Sequence, residues 1–180
     1  MKILVISDIH GSKYYAEKIP QICERENPDQ IILLGDLYYH GPRNPLTEEY
    51  NPSEVAEILN SLKDKIRCTK GNCDSEVDEM ISKFKFEEYI EMTINGVNFF
   101  FSHGHKYNMD NVPPTGDVVI YGHLHTGFIH EEYGVIFANP GSLSLPKGGT
   151  QNSYLVIDDT NLTLKNIDGE VIEQKKYLKK

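Results

Sequence analysis

Cysteine is scarce in this chain of 180 residues: only Cys23, Cys68 and Cys73 are present, and no C-x-x-C spacing occurs. That excludes a disulfide framework and a structural zinc site built on thiolates. An odd number of cysteines without a secretory leader reads as reduced thiols in a cytoplasm. The opening apolar run ends at Asp8, which is too short for the core of a leader. No run approaches the ~20 apolar residues of a membrane span. Positive charge is also short: 18 Lys and Arg stand against 27 Asp and Glu, for a net charge of -9. A chain this acidic is a poor match for a nucleic-acid backbone as its main partner. The basic end KKYLKK, from Lys175, reads as a small solvated tail. G-x-S-x-G and the P-loop lysine are both missing, so no elbow serine or phosphate-loop chemistry is expected.

Internal repeats, low-complexity tracts and linkers are absent as well, which predicts a single domain over 1–180. The first half alternates strand and helix. Apolar runs at 2–7, 30–34 and 66–69 have the character of strands buried on both faces. Ser12 is placed to cap a helix carrying Tyr15, Ile19, Ile22, Cys23 and Glu26, which Pro20 must kink or delay. A loop with Pro42, Pro45 and Pro52 follows, then a helix opened by Ser53 with Val55, Ile58, Leu59 and Leu62 on one face. The second half is richer in strands: 89–94 and 97–102 around Asn95-Gly96, 117–121, 128–132 and 135–138 around Tyr133-Gly134, then 154–158 and 162–167. A parallel first half and an antiparallel second half predict two sheets packed face to face, with helices outside.

Five polar motifs each directly follow an apolar run: SDIH at 7–10, GDL at 35–37, GNCD at 71–74, SHGH at 102–105 and GHLH at 122–125. Loops at the carboxyl ends of strands converge on one crevice in an open α/β sheet. Asp8, His10, Asp36, Asn72, His103, His123 and His125 can therefore meet. Two carboxylates, one amide and four imidazoles suit Mn(II), Fe or Zn(II). Seven donors exceed the needs of one ion and suit two, about 3.5–4 Å apart, with one carboxylate bridging. In D-x-H and H-x-H, residues two apart point to the same side of an extended chain. His40 and His130 stand outside the motifs and read as surface residues. Cys23 and Cys68 read as core, and Arg43 as either a phosphate contact or a surface arginine.

The ordered set Asp8-x-His10, Gly35-Asp36, Gly71-Asn72, His103 and Gly122-His123-x-His125 resembles the calcineurin-like metallophosphoesterases. The stretches GDLYYHGPRN (35–44), GNCDSEVD (71–78) and NPGSLSLPKGG (139–149) resemble the YfcE-like bacterial phosphodiesterases. The resemblance implies a four-layer α/β/β/α sandwich of two mixed sheets flanked by helices. It implies one metal held by Asp8, His10, Asp36 and His125, and a second held by Asp36, Asn72, His103 and His123. Mn(II) is the implied ion, with Ni(II), Fe and Zn(II) also allowed. The implied reaction is hydrolysis of a small-molecule phosphodiester. His105 is expected beside the ligands, orienting one of them or touching phosphate. One position departs from the wider superfamily: the histidine that commonly follows the ligand Asn is here Cys73, so the group that protonates the leaving group is open. Two readings compete, a two-metal phosphodiesterase and a non-catalytic binding scaffold on the same fold, and ligand completeness favours the enzyme. A homo-oligomer is compatible with the sequence.

Overall fold

The computed structural model describes residues 1–178. Strands β1 (Ile3–Ile6), β2 (Gln30–Leu33) and β3 (Ile66–Thr69) form as parallel neighbours. The helix expected after Ser12 forms as two, α1 (Lys13–Ala16) and α2 (Lys18–Glu26), and the Ser12 side chain accepts from the N–H of Tyr15. The break at Glu17 leaves Pro20 in the first turn of α2, where an absent N–H costs no intrahelical bond. Helix α3 (Pro52–Ser61) is capped by Asn51, which accepts from Glu54 N–H; Ser53, expected as the opener, instead donates its hydroxyl to Asn51. Helix α4 (Glu76–Ile81) begins with a reciprocal capping box between Ser75 and Asp78. It leads to the short strand β4 (Phe86–Glu87), and neither element was foreseen from the sequence.

Strands β5 (Tyr89–Ile94) and β6 (Val97–Ser102) pair around Asn95-Gly96, and β8 (Gly127–Glu132) and β9 (Val135–Pro140) around Tyr133-Gly134. All four turn residues have positive φ, from +51° to +83°, as tight hairpin turns that match strand twist require. Strand β7 (Val118–Tyr121) precedes β8, and β10 (Ser153–Ile157), β11 (Asn161–Asn166) and β12 (Val171–Lys176) complete the chain.

Both sheets are mixed. The first has the order β12-β11-β10-β1-β2-β3-β4 and the second β5-β6-β7-β9-β8. The halves of the chain thus do not map onto separate sheets, because β10 returns to pair antiparallel with β1 while β6, β7 and β9 run parallel. Side-chain alternation explains the layers. Ile3, Val5, Ile32 and Leu155 face Phe99, Phe101, Val118 and Ile120 between the sheets. Leu4, Ile6, Ile31 and Leu33 turn outward to Ile19, Ile22, Val55 and Leu59 of the helices. The four residues of β1 are 0% exposed, and each such burial contributes about 1.5–3 kcal/mol.

The outer face of the second sheet carries Phe100, Val119, Tyr121 and Phe137, covered by Tyr107 and Met109 from the loop after β6. That loop stands where helices were implied, among the described residues. The carboxyl-terminal end is also corrected. Lys175 lies in β12 and pairs with Glu131 at 2.9 Å, and Tyr177 is buried, donating its hydroxyl to Asp158 O. Lys179 and Lys180 lie outside the described residues. Among the described residues no helix is long and apolar enough to cross a membrane.

Candidate metal centre

All seven expected donors sit just beyond strand carboxyl ends on one side of the sandwich. Asp8 and His10 follow β1, Asp36 follows β2, Asn72 follows β3, His103 follows β6, and His123 and His125 follow β7. Five of them have left-handed backbones: Asp8 (φ +55°), His10 (+49°), Asp36 (+54°), His123 (+67°) and His125 (+59°). Each costs about 1–2 kcal/mol in a residue with a Cβ, so the surrounding contacts must hold it. Backbone bonds do so between neighbouring loops, with Asp8 N–H to Gly35 O at 3.1 Å and His10 N–H to Asp36 O at 2.9 Å. Two glycines permit the crowding. A Cβ at Gly71 would overlap the Asp36 carboxylate, and one at Gly122 would overlap the Ser7 hydroxyl.

The donors divide into two groups that Asp36 joins. In the first, Asp8 Oδ1 lies 3.2 Å from His125 Nε2 and 3.5 Å from His10 Nε2, and the two Nε2 atoms are 3.1 Å apart. In the second, His103 Nε2 lies 3.0 Å from Asn72 Oδ1, 3.2 Å from His123 Nδ1 and 3.4 Å from Asp36 Oδ2. Asp36 Oδ2 is also 3.7 Å from His10 Nε2, so one oxygen reaches towards both groups.

Hydrogen bonding fixes the tautomers. Nδ1–H donates to Tyr39 O in His10 (2.8 Å), to Leu34 O in His103 (2.7 Å) and to Leu145 O in His125 (2.8 Å). A carbonyl brings no proton, so in the neutral rings Nε2 carries a lone pair aimed into the site. Asp8 Oδ2 accepts from Ser7 Oγ (2.6 Å) and His123 N–H (3.0 Å), but buried Oδ1 has no hydrogen-bond partner. Lone pairs converging on an unpartnered carboxylate oxygen repel unless positive charge lies among them. The electrostatics agree. Burial lowers the His103 imidazolium, but Asp36 and Asp8 more than reverse that and raise it to about 9. Burial raises Asp8, yet His10 and His125 hold it well below the usual carboxylate range. The donor set therefore fits divalent cations, with hard oxygens and borderline nitrogens and no obligatory thiolate.

The remaining candidates fall around this centre. An open cleft of about 670 Å³ is lined by Asp36, Asn72, Cys73, His123 and His125, and by Arg43 on an exposed loop. Cys73 N–H donates to Asp36 Oδ1 at 2.8 Å, and burial together with Asp36 pushes its thiol up to about 12. His105 is exposed, its ring 5.4 Å from that of His103, and among the described residues it makes no hydrogen bond to a candidate ligand; Leu34 O holds His103 instead. His105 lines a neighbouring cavity of about 390 Å³ that also touches Asn72. His130 is exposed as expected, but His40 is half-buried between the rings of Tyr39 and Tyr50. Cys68 is fully buried and Cys23 packs half-buried against the helices.

Sequence reasoning missed the groups that hold the ligand loops. Buried Asp74 accepts from the N–H groups of Asp36 (2.8 Å), Leu37 (2.9 Å) and Gly71 (2.7 Å), tying the β2 loop to the β3 loop. Burial and the Asp36 charge raise its carboxyl to about 6 against those three bonds. Asn139 donates to Gly122 O at 2.8 Å, and Ser142 and Ser144 donate to Asp8 O at 2.6 and 3.1 Å. Asp74 belongs to GNCD, just after β3, and Ser142 and Ser144 follow β9, whereas Asn139 lies within β9 itself.

Comparison with known proteins agrees with this geometry. Residues 1–161 match the model of the calcineurin-like phosphoesterase superfamily domain. The chain is 36% identical over 175 residues to phosphodiesterase YfcE of Escherichia coli strain K12, covering 96% of this chain and 95% of that protein. A phosphodiesterase of Methanocaldococcus jannaschii is 28% identical over 151 residues, covering 78% of this chain and 83% of that protein. The solved structure of the Escherichia coli YfcE phosphoesterase superposes with a TM-score of 0.95 at 35% identity, over 99% of this chain and 100% of that one. Vps29 of Entamoeba histolytica, solved in complex with zinc, shares the fold at a TM-score of 0.63 and 22% identity, over 99% of this chain and 100% of that one. The chain belongs to the calcineurin-like phosphoesterase superfamily and is a phosphoester hydrolase.

Proposed function

We propose that this protein is a dinuclear metal-dependent phosphodiesterase acting on small molecules. Asp8, His10, Asp36 and His125 hold one divalent ion; Asp36, Asn72, His103 and His123 hold the other. The observation that carries this reading is the unpartnered Asp8 Oδ1 facing two imidazole nitrogens, beside a carboxylate that reaches both groups. Mn(II) is the ion we expect, with Ni(II), Fe and Zn(II) compatible with the same donors. When bound, the pair of ions neutralises phosphate oxygens and makes hydroxide available near neutral pH. The protein's own residues do the rest. The three Nδ1–H bonds to backbone carbonyls keep each imidazole aimed inward, so its lone pair needs no reorganisation. Arg43 lines the cleft and supplies two donors suited to an anionic group of the substrate. Cys73 occupies the place beside the leaving group and brings only a weak donor there. The diester preference rests on the phosphodiesterase relatives. The three free thiols suit work in the cytoplasm.

The test is reversible metal removal. Protein stripped with EDTA should hydrolyse bis(p-nitrophenyl) phosphate at background rate and recover on addition of Mn(II), with two ions per chain by elemental analysis. Full hydrolysis by protein shown to be metal-free would sink the reading, and a fully metallated but inert protein would point to a binding scaffold.

A further inference from the structure

Two cations line the cleft beside the centre without a neutralising partner among the described residues. Several basic side chains of this acidic chain are paired: Lys2, Lys165 and Arg25 with Glu26, Lys13 with Glu54, Arg67 with Glu87, Lys70 with Glu79 and Lys106 with Glu88. Arg43 and Lys147 make no side-chain hydrogen bond or ion pair among the described residues, and both line the same cleft as Asp36, Asn72 and the two histidines after β7. Lys83 and Lys85 are likewise without an ion pair or side-chain hydrogen bond among the described residues, but they line a separate surface pocket, whereas Arg43 and Lys147 share the cleft into which the candidate ligands face.

Their backbones are held while their side chains are free. Lys147 N–H donates to His125 O at 2.9 Å, and Thr150 N–H and Oγ1 both bond to Lys147 O, at 3.1 and 2.8 Å. His125 Nδ1 is anchored in turn on Leu145 O in the same turn. On the other loop, His10 Nδ1 is anchored on Tyr39 O, and Asn44 Nδ2 donates to His40 O at 2.8 Å, closing the turn that presents Arg43. Each cation therefore projects from the loop that orients one histidine of the first ligand group.

Charge counting says what they are for. Two divalent ions, Asp8, Asp36, one hydroxide and the single negative charge of a phosphodiester already sum to zero. Arg43 and Lys147 leave two positive charges over. We propose that Lys147, together with Arg43, forms a subsite for a second anionic group on the substrate, a carboxylate or phosphate on one ester arm beyond the scissile diester. The exposed side chains of Tyr39 and Leu124 in the same cleft supply apolar surface for the connecting arm. This rests on the phosphodiesterase reading and names the substrate class within it.

The test is a matched series of p-nitrophenyl alkyl phosphodiesters whose alkyl arm ends in carboxylate, hydroxyl or trimethylammonium, assayed with the Mn(II)-loaded protein. The carboxylate ester should have the highest kcat/KM, about five- to tenfold over the hydroxyl ester, through KM rather than kcat. The trimethylammonium ester should be poorest, and 0.5 M salt should flatten the series. Lys147→Met, which keeps the apolar stem, should remove most of the carboxylate preference while sparing the hydroxyl ester. Lys147→Arg should retain the preference. In parallel, calorimetry should give tighter binding for a non-hydrolysable carboxylate-ended phosphonate than for its hydroxyl-ended twin, and Lys147→Met should close that gap. Equal kcat/KM across the parent series, or a preference that survives Lys147→Met, overturns the subsite. If no diester is hydrolysed, the phosphodiesterase reading fails, and the phosphonate pair still decides whether the subsite exists.

Discussion

The two ligand groups differ in how completely the fold encloses them. Asp8, His10 and His125 are at most 3% exposed, and each is fixed by further bonds from buried Ser7 or from backbone carbonyls. In the other group Asp36 and His103 are equally buried, but His123 is half-buried and Asn72 is exposed. On the proposed reading, the enclosed group would retain its cation, and the open group, which faces the cleft, would present one to substrate. Enclosure thus tracks the division between holding an ion and presenting one.

The strongest way to break this contrast is to remove the residue that spans it. Asp36→Asn should lose both ions, Asp8→Asn chiefly the enclosed one, and Asn72→Ala should only weaken the open one, in that order of severity. A bridging carboxylate serves both ions, whereas Asn72 offers one neutral oxygen. Elemental analysis of the three variants gives the order, and an Asp36→Asn protein with two ions per chain would remove the bridge. Asp74→Asn should have the next largest effect. It disturbs the acceptor for Asp36, Leu37 and Gly71 N–H without touching an ion, so metal affinity should fall about 10–100-fold while far-UV circular dichroism stays unchanged. Mn(II) titration by calorimetry reads this, and an unaltered isotherm would make Asp74 a purely local brace.

The smallest expected effect sharpens the contrast on the open side. Cys73→His places a better proton donor beside the leaving group. Hydrolysis of an alkyl diester should then improve severalfold relative to a nitrophenyl diester, below the full 10²–10⁴-fold of acid catalysis. Neighbouring cations disfavour an imidazolium, so the gain should be greatest at acidic pH. The ratio of kcat/KM for the two esters is the measurement, and an unchanged ratio removes the missing-acid idea. Metal loss in Cys73→Ser would instead make Cys73 a ligand, since its sulfur lies within reach of His10 and Asp36.

The donors that the structure brings together were legible in the sequence because each follows a strand too apolar to mistake, and because D-x-H and H-x-H are chemically specific at short spacing. The braces were not. The bonds of Asp74 to Asp36, Asn139 to Gly122 and Ser142 to Asp8 span 17 to 134 positions, and no local pattern encodes such partners. Likewise β12 was missed because its side chains are mostly exposed, so neither an apolar run nor an alternation marks it. Two mixed sheets were implied by the resemblance alone; the residue pattern did not show which strands mix them, since β1 pairs with β10 across almost the whole chain. Lys147 had no signal beyond an unremarked basic residue between Pro146 and Gly148; its meaning comes only from the cleft it shares with Arg43.

That pairing of β1 with β10 bears on how the protein is made. The strand that delivers Asp8 and His10 takes one neighbour from β2, close by in sequence, and the other from β10, which leaves the ribosome only after every other ligand loop. Until then one edge of β1 is open, and Ser142 and Ser144, which hold the Asp8 carbonyl, have only just emerged. Contacts this distant in sequence form late because their loop-closure entropy must be met first. The nascent chain therefore carries its first two candidate ligands without the groups that aim them until the segment around β10 has emerged.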